Sequence, residues 1–415
     1  MTLFGVLWIG IIVFCCSRKN IEMLIFITLF SMVLQSTNVI SFSGISVGPQ
    51  LITNLALLFM VILKVIAKGR IRIYGNSSSI LPCFLLLVSV CFSSLMNGNF
   101  SDAILRIVQL GVYIAVFISL NCMEDYISED FVFKSMKVIT VFVLFMGALQ
   151  ILMTSGIVPR FSLVKILFYN ENADYVYFNR NNYTRLMSTF LEPSYCGCFL
   201  VASFFYFSSI WSGNKKCPII LISLLIEILL TRSSTAYVAI GLVSIVFILF
   251  SNNKKFKKTL VLLGVVSVTI MVIFGYGVLD TVLFSKLSSG SALTRSYWNS
   301  AALEAFDSSP LFGTGYKTAR ASSLILSILG ELGLIGLIIY LLFICNICST
   351  LITQRKKITF KDGAVQIAIL AVVIAQFVAC PDLDLCVFWM MLDLEAIQKN
   401  RNRTRIKEGR IEKIA

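Results

Sequence analysis

The sequence predicts an all-α, polytopic integral membrane protein, and three observations carry that reading. Of 415 residues, 58% are hydrophobic and only 13% charged, against about 25% charged in soluble domains. The apolar residues form about a dozen continuous runs, many near the ~20 residues that cross a bilayer as a helix. Basic residues sit in short clusters in every second connection between runs, which is how orientation is encoded in membranes. A transmembrane β-barrel would show short alternating strands instead. The same clustering argues against nucleic acid as the reason for the net charge of +14.

In chain order, runs at about 3–16, 21–35, 47–66, 80–95, 104–121, 138–153 and 194–211 are followed by 218–230, 236–250, 260–277, 324–347, 364–380 and 385–397. This gives about 12–13 spans, of which the first two are short. The first run, Leu3 to Cys16, lacks a basic leader and a small-residue cleavage site, so a retained helix is expected. Arg18-Lys19, Lys68 to Arg72, Lys134 and Lys137, Lys215-Lys216, Lys254 to Lys258 and Arg355 to Lys357 all fall on one side. The positive-inside rule makes that side the cytoplasm, with the N-terminus outside and the C-terminus inside. Residues 1–397 then form a single transmembrane domain. The segment 398–415 is a basic cytoplasmic tail that anchors to membrane lipids.

The 12 cysteines lie mostly in or at the edge of apolar runs. Cys196-x-Cys198 lacks the second Cys pair or His of a zinc site, so packing is expected there. Two outer loops are long, about 154–193 and 278–323, and loops of this length are usually functional or disordered. The first carries Arg180, Arg185, Glu192 and several Tyr, and enters the next helix at Pro193, whose missing N–H suits a first turn. In the second, periodicity predicts a surface helix over Ser296 to Phe306 that stops at Ser308-Ser-Pro310. Gly313-Thr-Gly315 predicts a tight turn where backbone can approach a ligand. Ten basic residues fall on the outer side or at its edge, and seven of them are Arg: 106, 160, 180, 185, 232, 295 and 320. Arg presents a planar fork suited to bidentate phosphate binding, so this bias points to a phosphate-bearing ligand outside.

Three stretches together resemble the O-antigen polymerase and ligase superfamily of bacterial inner-membrane proteins. One is Phe190-Leu-Glu-Pro-Ser194. Another is Leu230-Thr-Arg-Ser-Ser-Thr-Ala236. The third runs from Arg295-Ser-Tyr-Trp298 through Pro310-Leu-Phe-Gly-Thr-Gly315 to Glu331-Leu-Gly-Leu-Ile-Gly336. Their order and side cover about residues 180–340, and the N-terminal part is similar only in helical character. The resemblance implies a metal-independent, cofactor-free glycosyltransferase of the GT-C type in the bacterial inner membrane. Its substrates would be undecaprenyl-pyrophosphate-linked oligosaccharide repeat units at the periplasmic face, with a chain-length regulator protein as partner. Ligases of the superfamily typically carry a functional His in the large periplasmic loop, and this chain has no His. That departure favours the polymerase, which joins repeat units into longer chains.

The residues fit such chemistry. The acceptor hydroxyl needs a general base, and pyrophosphate leaves as a stable anion, so one carboxylate and several Arg suffice. Glu192 is the preferred base, with Arg185 in the same loop. Its structural alternative is a first-turn acid at its helix N-terminus. Glu331, inside an apolar run, is the rival, or else an ion-paired residue between helices. Arg185, Arg295 and Arg320, with Arg180, Arg232 and Arg106, are candidate pyrophosphate contacts. Their alternative is solvated or snorkelling charge. Trp298 is a candidate sugar-stacking residue, although aromatics are common at any membrane interface. Glu227 is expected to be structural. The alternatives are the ligase and a transporter that flips lipid-linked repeats, for which interrupted helices near mid-membrane would speak.

Overall fold

A computed structural model describes the chain except for Met1, 43–44, 69–76, 124–126, 129, 159–184, 211–216, 251–289, 354–359 and 412–415. Its described helices are α1 Leu3–Ser17, α2 Ile21–Ser31, α3 Pro49–Lys68, α4 Ser77–Met96, α5 Phe100–Cys122, α6 Phe131–Thr154, α7 Pro193–Ile210, α8 Cys217–Leu230, α9 Ser234–Phe250, α10 Gly290–Ser308, α11 Leu324–Thr353, α12 Phe360–Ala379 and α13 Cys386–Ile411. A small antiparallel hairpin, β1 Ile40–Phe42 with β2 Ile45–Val47, joins α2 to α3. Among the described residues, six helices are long and apolar enough to cross a membrane, and five shorter apolar ones accompany them. The protein is an all-α, multi-pass membrane protein. The run expected at 260–277 and most of the first long loop, Arg180 included, lie outside the described residues.

At the centre stands α7, which begins at Pro193 as expected and has 16 buried residues among its 18. In lipid, burying Phe199, Phe204, Phe205 and Phe207 gains little from leaving water. Close van der Waals packing is the driving term instead. Gly197 provides that closeness, because a Cβ there would press on the Ala236 methyl of α9. Cys196 and Cys198 are fully buried in the same packing.

Two elements differ from expectation. The tail is a continuation of α13, which runs unbroken from Cys386 to Ile411 through the boundary placed at 397/398. More consequential is α11, expected as one uninterrupted helix, which breaks at Gly333 (φ 67°, ψ −166°). That is about 14 Å along a helix rising 1.5 Å per residue, near the middle of a ~30 Å hydrocarbon layer. Freed backbone groups at that depth must find partners within the protein. The segment 310–315 supplies them. Thr314 N donates to the Gly330 carbonyl at 2.9 Å and Gly315 N to that of Glu331 at 3.0 Å. In return Leu334 N donates to the Pro310 carbonyl at 2.9 Å.

The Gly313-Thr-Gly315 turn therefore brings its backbone against α11. Gly313 has φ 70°, and a Cβ there would overlap the Glu331 backbone. Gly313→Ala is expected to cost the ~1–2 kcal/mol of left-handed strain plus that overlap. Melting and size-exclusion profiles in detergent should show loss of folded protein, whereas Gly10→Ala, with open space at its Cβ, should be silent. A wild-type profile for Gly313→Ala would refute this reading of the break.

Candidate active site

A cavity of about 380 Å³ opens where α3 and α5 begin and where the segments before α7, α11 and α13 converge. Every one of these segments falls on the side the basic clusters mark as outer. Its walls include Gln35, Gln50, Arg106, Gln109, Glu192, Tyr195, Lys317, Arg320, Glu331, Asp382 and Asp384.

The approach to α7 is fixed by side chains from three directions. Gln150 of α6 accepts from the backbone N–H of Met187 and Ser188 at 2.9 and 3.0 Å, and donates to the Arg185 carbonyl at 3.2 Å. Ser188, at φ 51°, donates its hydroxyl to the Val143 carbonyl at 2.7 Å. Ser36, after α2, donates both its N–H and its hydroxyl to the Thr189 carbonyl. Arg185 donates to the carbonyls of Thr231 and Arg232 at 3.2 and 3.1 Å, tying this segment to the α8–α9 turn. The result holds Glu192 at the cavity rim.

Also in the cavity wall, four distant parts of the chain meet in an ion knot. Lys317 Nζ lies 2.6 Å from Asp382 Oδ1 and 3.0 Å from Asp384 Oδ1. Arg106 approaches the other Asp384 oxygen at 3.5 Å, and the Tyr195 hydroxyl of α7 donates to Asp382. Lys317 sits at φ 63°, a strained conformation for a residue with a side chain. Its neighbours hold it there: Tyr316 N donates to Ser94 Oγ at 3.1 Å, and Asn99 Nδ2 to the Tyr316 carbonyl at 3.1 Å. The 380–385 turn is fastened by Gln376 Nε2 on the Asp382 carbonyl and Trp389 Nε1 on that of Leu383. Burial opposes charge on Asp382, but the Lys317 ammonium and the bonds from Lys317 and Tyr195 prevail and hold its carboxyl below the ordinary range. Burial likewise opposes charge on Lys317, and the carboxylates of Asp384 and Asp382 with the Tyr316 ring hold its ammonium well above its ordinary value.

The remaining pair is looser. Arg320 Nη2 stands 3.6 Å from Glu192 Oε1, with 55% and 40% of the two side chains exposed. Ser194 Oγ donates to the other Glu192 oxygen at 3.1 Å. Trp298 lies beneath the Arg320 guanidinium, 4.5 Å from ring centroid to Cζ. One face of its ring meets Arg320 in the described structure.

Of the residues expected to act here, the structure brings Glu192, Arg320, Arg106 and Glu331 to one cavity. Arg232 lies in the neighbouring α8–α9 turn, to which Arg185 is bonded, and Arg295 is exposed on α10, one turn from Trp298; none of the three is in the cavity wall. Glu227 is buried against Gly147 of α6, away from the cavity. The sequence reading missed Lys317, Asp382, Asp384 and Tyr195 as site residues. A signal existed: two carboxylates one residue apart, after Pro381, in a four-residue turn on the outer side. Lys317 stood among the outer basic residues but was passed over for Arg.

Residues 219–341 match a family described as O-antigen ligase. The match covers less than a third of the chain and runs from α8 to the broken α11, including Trp298, Lys317, Arg320 and Glu331. It supports the O-antigen polymerase and ligase superfamily without separating polymerase from ligase. No curated protein matches the chain.

Proposed function

We propose, from that partial match and the outer cavity, that this protein is a polymerase joining undecaprenyl-pyrophosphate-linked oligosaccharide repeat units into O-antigen or a related surface polysaccharide. The observation that carries the reading is the exposed Glu192–Arg320 pair at the rim of a cavity on the outer side. A pyrophosphate can compete for Arg320, because an exposed pair with a 3.6 Å separation is weakly held. Once Arg320 turns to phosphate, Glu192 is released to act on the acceptor.

In the transfer, an acceptor sugar hydroxyl attacks the anomeric carbon of the growing chain. The new C–O bond forms as the anomeric carbon–oxygen bond to pyrophosphate breaks. Glu192 takes the hydroxyl proton, and undecaprenyl pyrophosphate departs with the bonding electron pair. Arg320 offsets the charge that develops on the leaving group, in the manner of a preorganised electrostatic clamp. No divalent ion is needed in this scheme. A chain-length regulator is the partner it would call for, and the bacterial inner membrane its location.

The absence of His from all 415 residues favours polymerase over ligase, since a carboxylate then serves as the base. The broken α11 is a feature that transporters also show, but here 310–315 supplies hydrogen-bond partners to the freed backbone groups. A lipopolysaccharide ladder from a strain lacking this protein separates the polymerase from the other two. Core plus a single repeat is expected. Unmodified core would mean a ligase or a flippase.

A further inference from the structure

Asp382 is bonded through both of its carboxylate oxygens, each to a different part of the chain. Oδ2 accepts the Tyr195 hydroxyl from the first turn of α7, and Oδ1 lies 2.6 Å from Lys317 Nζ. Each partner is a near neighbour of a residue that the transfer needs. Tyr195 stands one turn inside α7 from Glu192, and its N–H donates to the Glu192 carbonyl at 3.1 Å. Lys317 precedes Arg320 by three residues. The bridge Tyr195–Asp382–Lys317 therefore joins the segment carrying the proposed base to the segment carrying the guanidinium.

Both segments are braced locally, so a tie between them transmits position. On one side, α7 is buried along almost its whole length. On the other, Thr318 Oγ1 donates to the Gly315 carbonyl at 2.7 Å, and Ala321 N donates to Ser327 Oγ at 3.1 Å. The Ser322 N–H and hydroxyl both donate to Asn299 Oδ1, at 2.9 and 2.8 Å. The direct contact between Glu192 and Arg320 is a poor spacer by comparison. It spans 3.6 Å between half-exposed groups, and in the proposed transfer it opens when Arg320 turns to phosphate. The bridge does not depend on that contact and stays closed.

We infer that Tyr195 is a positioning residue: through Asp382 and Lys317 it sets the spacing of Glu192 and Arg320 once substrate has separated them. A displacement of ~1 Å in a catalytic group can cost about a hundredfold in rate. This inference rests on the glycosyltransferase reading given above, with Glu192 as base and Arg320 on the leaving group.

The test uses the full-length protein in lipid nanodiscs with undecaprenyl-pyrophosphate-linked repeat units from the producing strain. Tyr195→Phe removes the hydroxyl and keeps the ring. Its kcat is expected to fall about ten- to a hundredfold, with KM and binding of undecaprenyl pyrophosphate within about twofold of wild type. Asp382→Asn, which turns one accepting oxygen into an amide donor, should show the same split. Added to Glu192→Gln, Tyr195→Phe should cost nothing further, because no base is left to place. An unchanged kcat, or an undiminished loss in the Glu192→Gln background, would overturn the positioning role. Weaker binding of undecaprenyl pyrophosphate would overturn it too, since the hydroxyl would then be a substrate contact. So would loss of folded protein in both Tyr195→Phe and Asp382→Asn, because the bridge would then serve the fold alone. Wild type inactive on the lipid-linked repeats would overturn the enzymatic reading, and the positioning role with it.

Discussion

Glu192→Gln is expected to reduce polymerisation by about 100- to 10,000-fold, the usual contribution of a positioned general base. The amide keeps the size of the side chain and an oxygen for the 3.1 Å bond from Ser194, but it cannot take a proton from the acceptor. Protein abundance should not change, because the side chain is 40% exposed. Arg320→Lys should follow at about ten- to a hundredfold, since Lys keeps the charge and loses the fork that holds phosphate. It also loses the flat guanidinium face that packs on Trp298. Arg295→Lys is the control: Arg295 is exposed on α10 and absent from the cavity wall, so its ladder should be normal. Purified protein with lipid-linked repeats gives the rates directly. A normal rate for Glu192→Gln would remove it as the base.

The largest effect on the fold is expected from Lys317→Met. It leaves Asp384, whose side chain is 4% exposed, with only the 3.5 Å contact to Arg106, and leaves Asp382 with Tyr195. Breaking a buried ion pair from one side costs about 3–5 kcal/mol, enough to empty the folded population of a marginal protein. Lys317→Met combined with Asp382→Asn and Asp384→Asn removes all three charges together and should recover most of that loss. If the triple variant is no better folded than the single one, the knot is not what joins these segments. The knot also has a definite pH window. Asp382 is held below its ordinary value of 3.8, so its contribution is present above pH 3.8 and is lost as pH falls further. Lys317 is held above 10.5, so its contribution is present below pH 10.5 and is lost above its folded value. Between these limits melting temperature should show no step from the knot, and a step that survives Glu227→Gln and Glu331→Gln would contradict the pairing.

Periodicity and charge placement in the chain were sufficient for much of this molecule. The apolar runs foretold the helices because a bilayer demands continuous spans, and Pro193 marked the entry of α7 for reasons internal to one peptide unit. The alternating basic clusters put every cavity segment on one side, and Glu192, Arg320, Arg106 and Glu331 were singled out by charge in or beside apolar runs. These are local properties, readable one stretch at a time.

What tertiary structure decided was pairing. Lys317, Asp382 and Tyr195 are 65 to 187 positions apart in their contacts, and nothing local in any of them announces the others. Arg185 and Arg320 look alike as outer arginines, yet the first has carbonyls of the α8–α9 turn within reach and the second has Trp298 and Glu192. Gly333 breaks α11 only because 310–315 stands beside it to take the freed amides and carbonyls. The sidedness expected of each charge follows from the apolar runs and the basic clusters between them, whereas its partner depends on which segments the packing of α7 brings together.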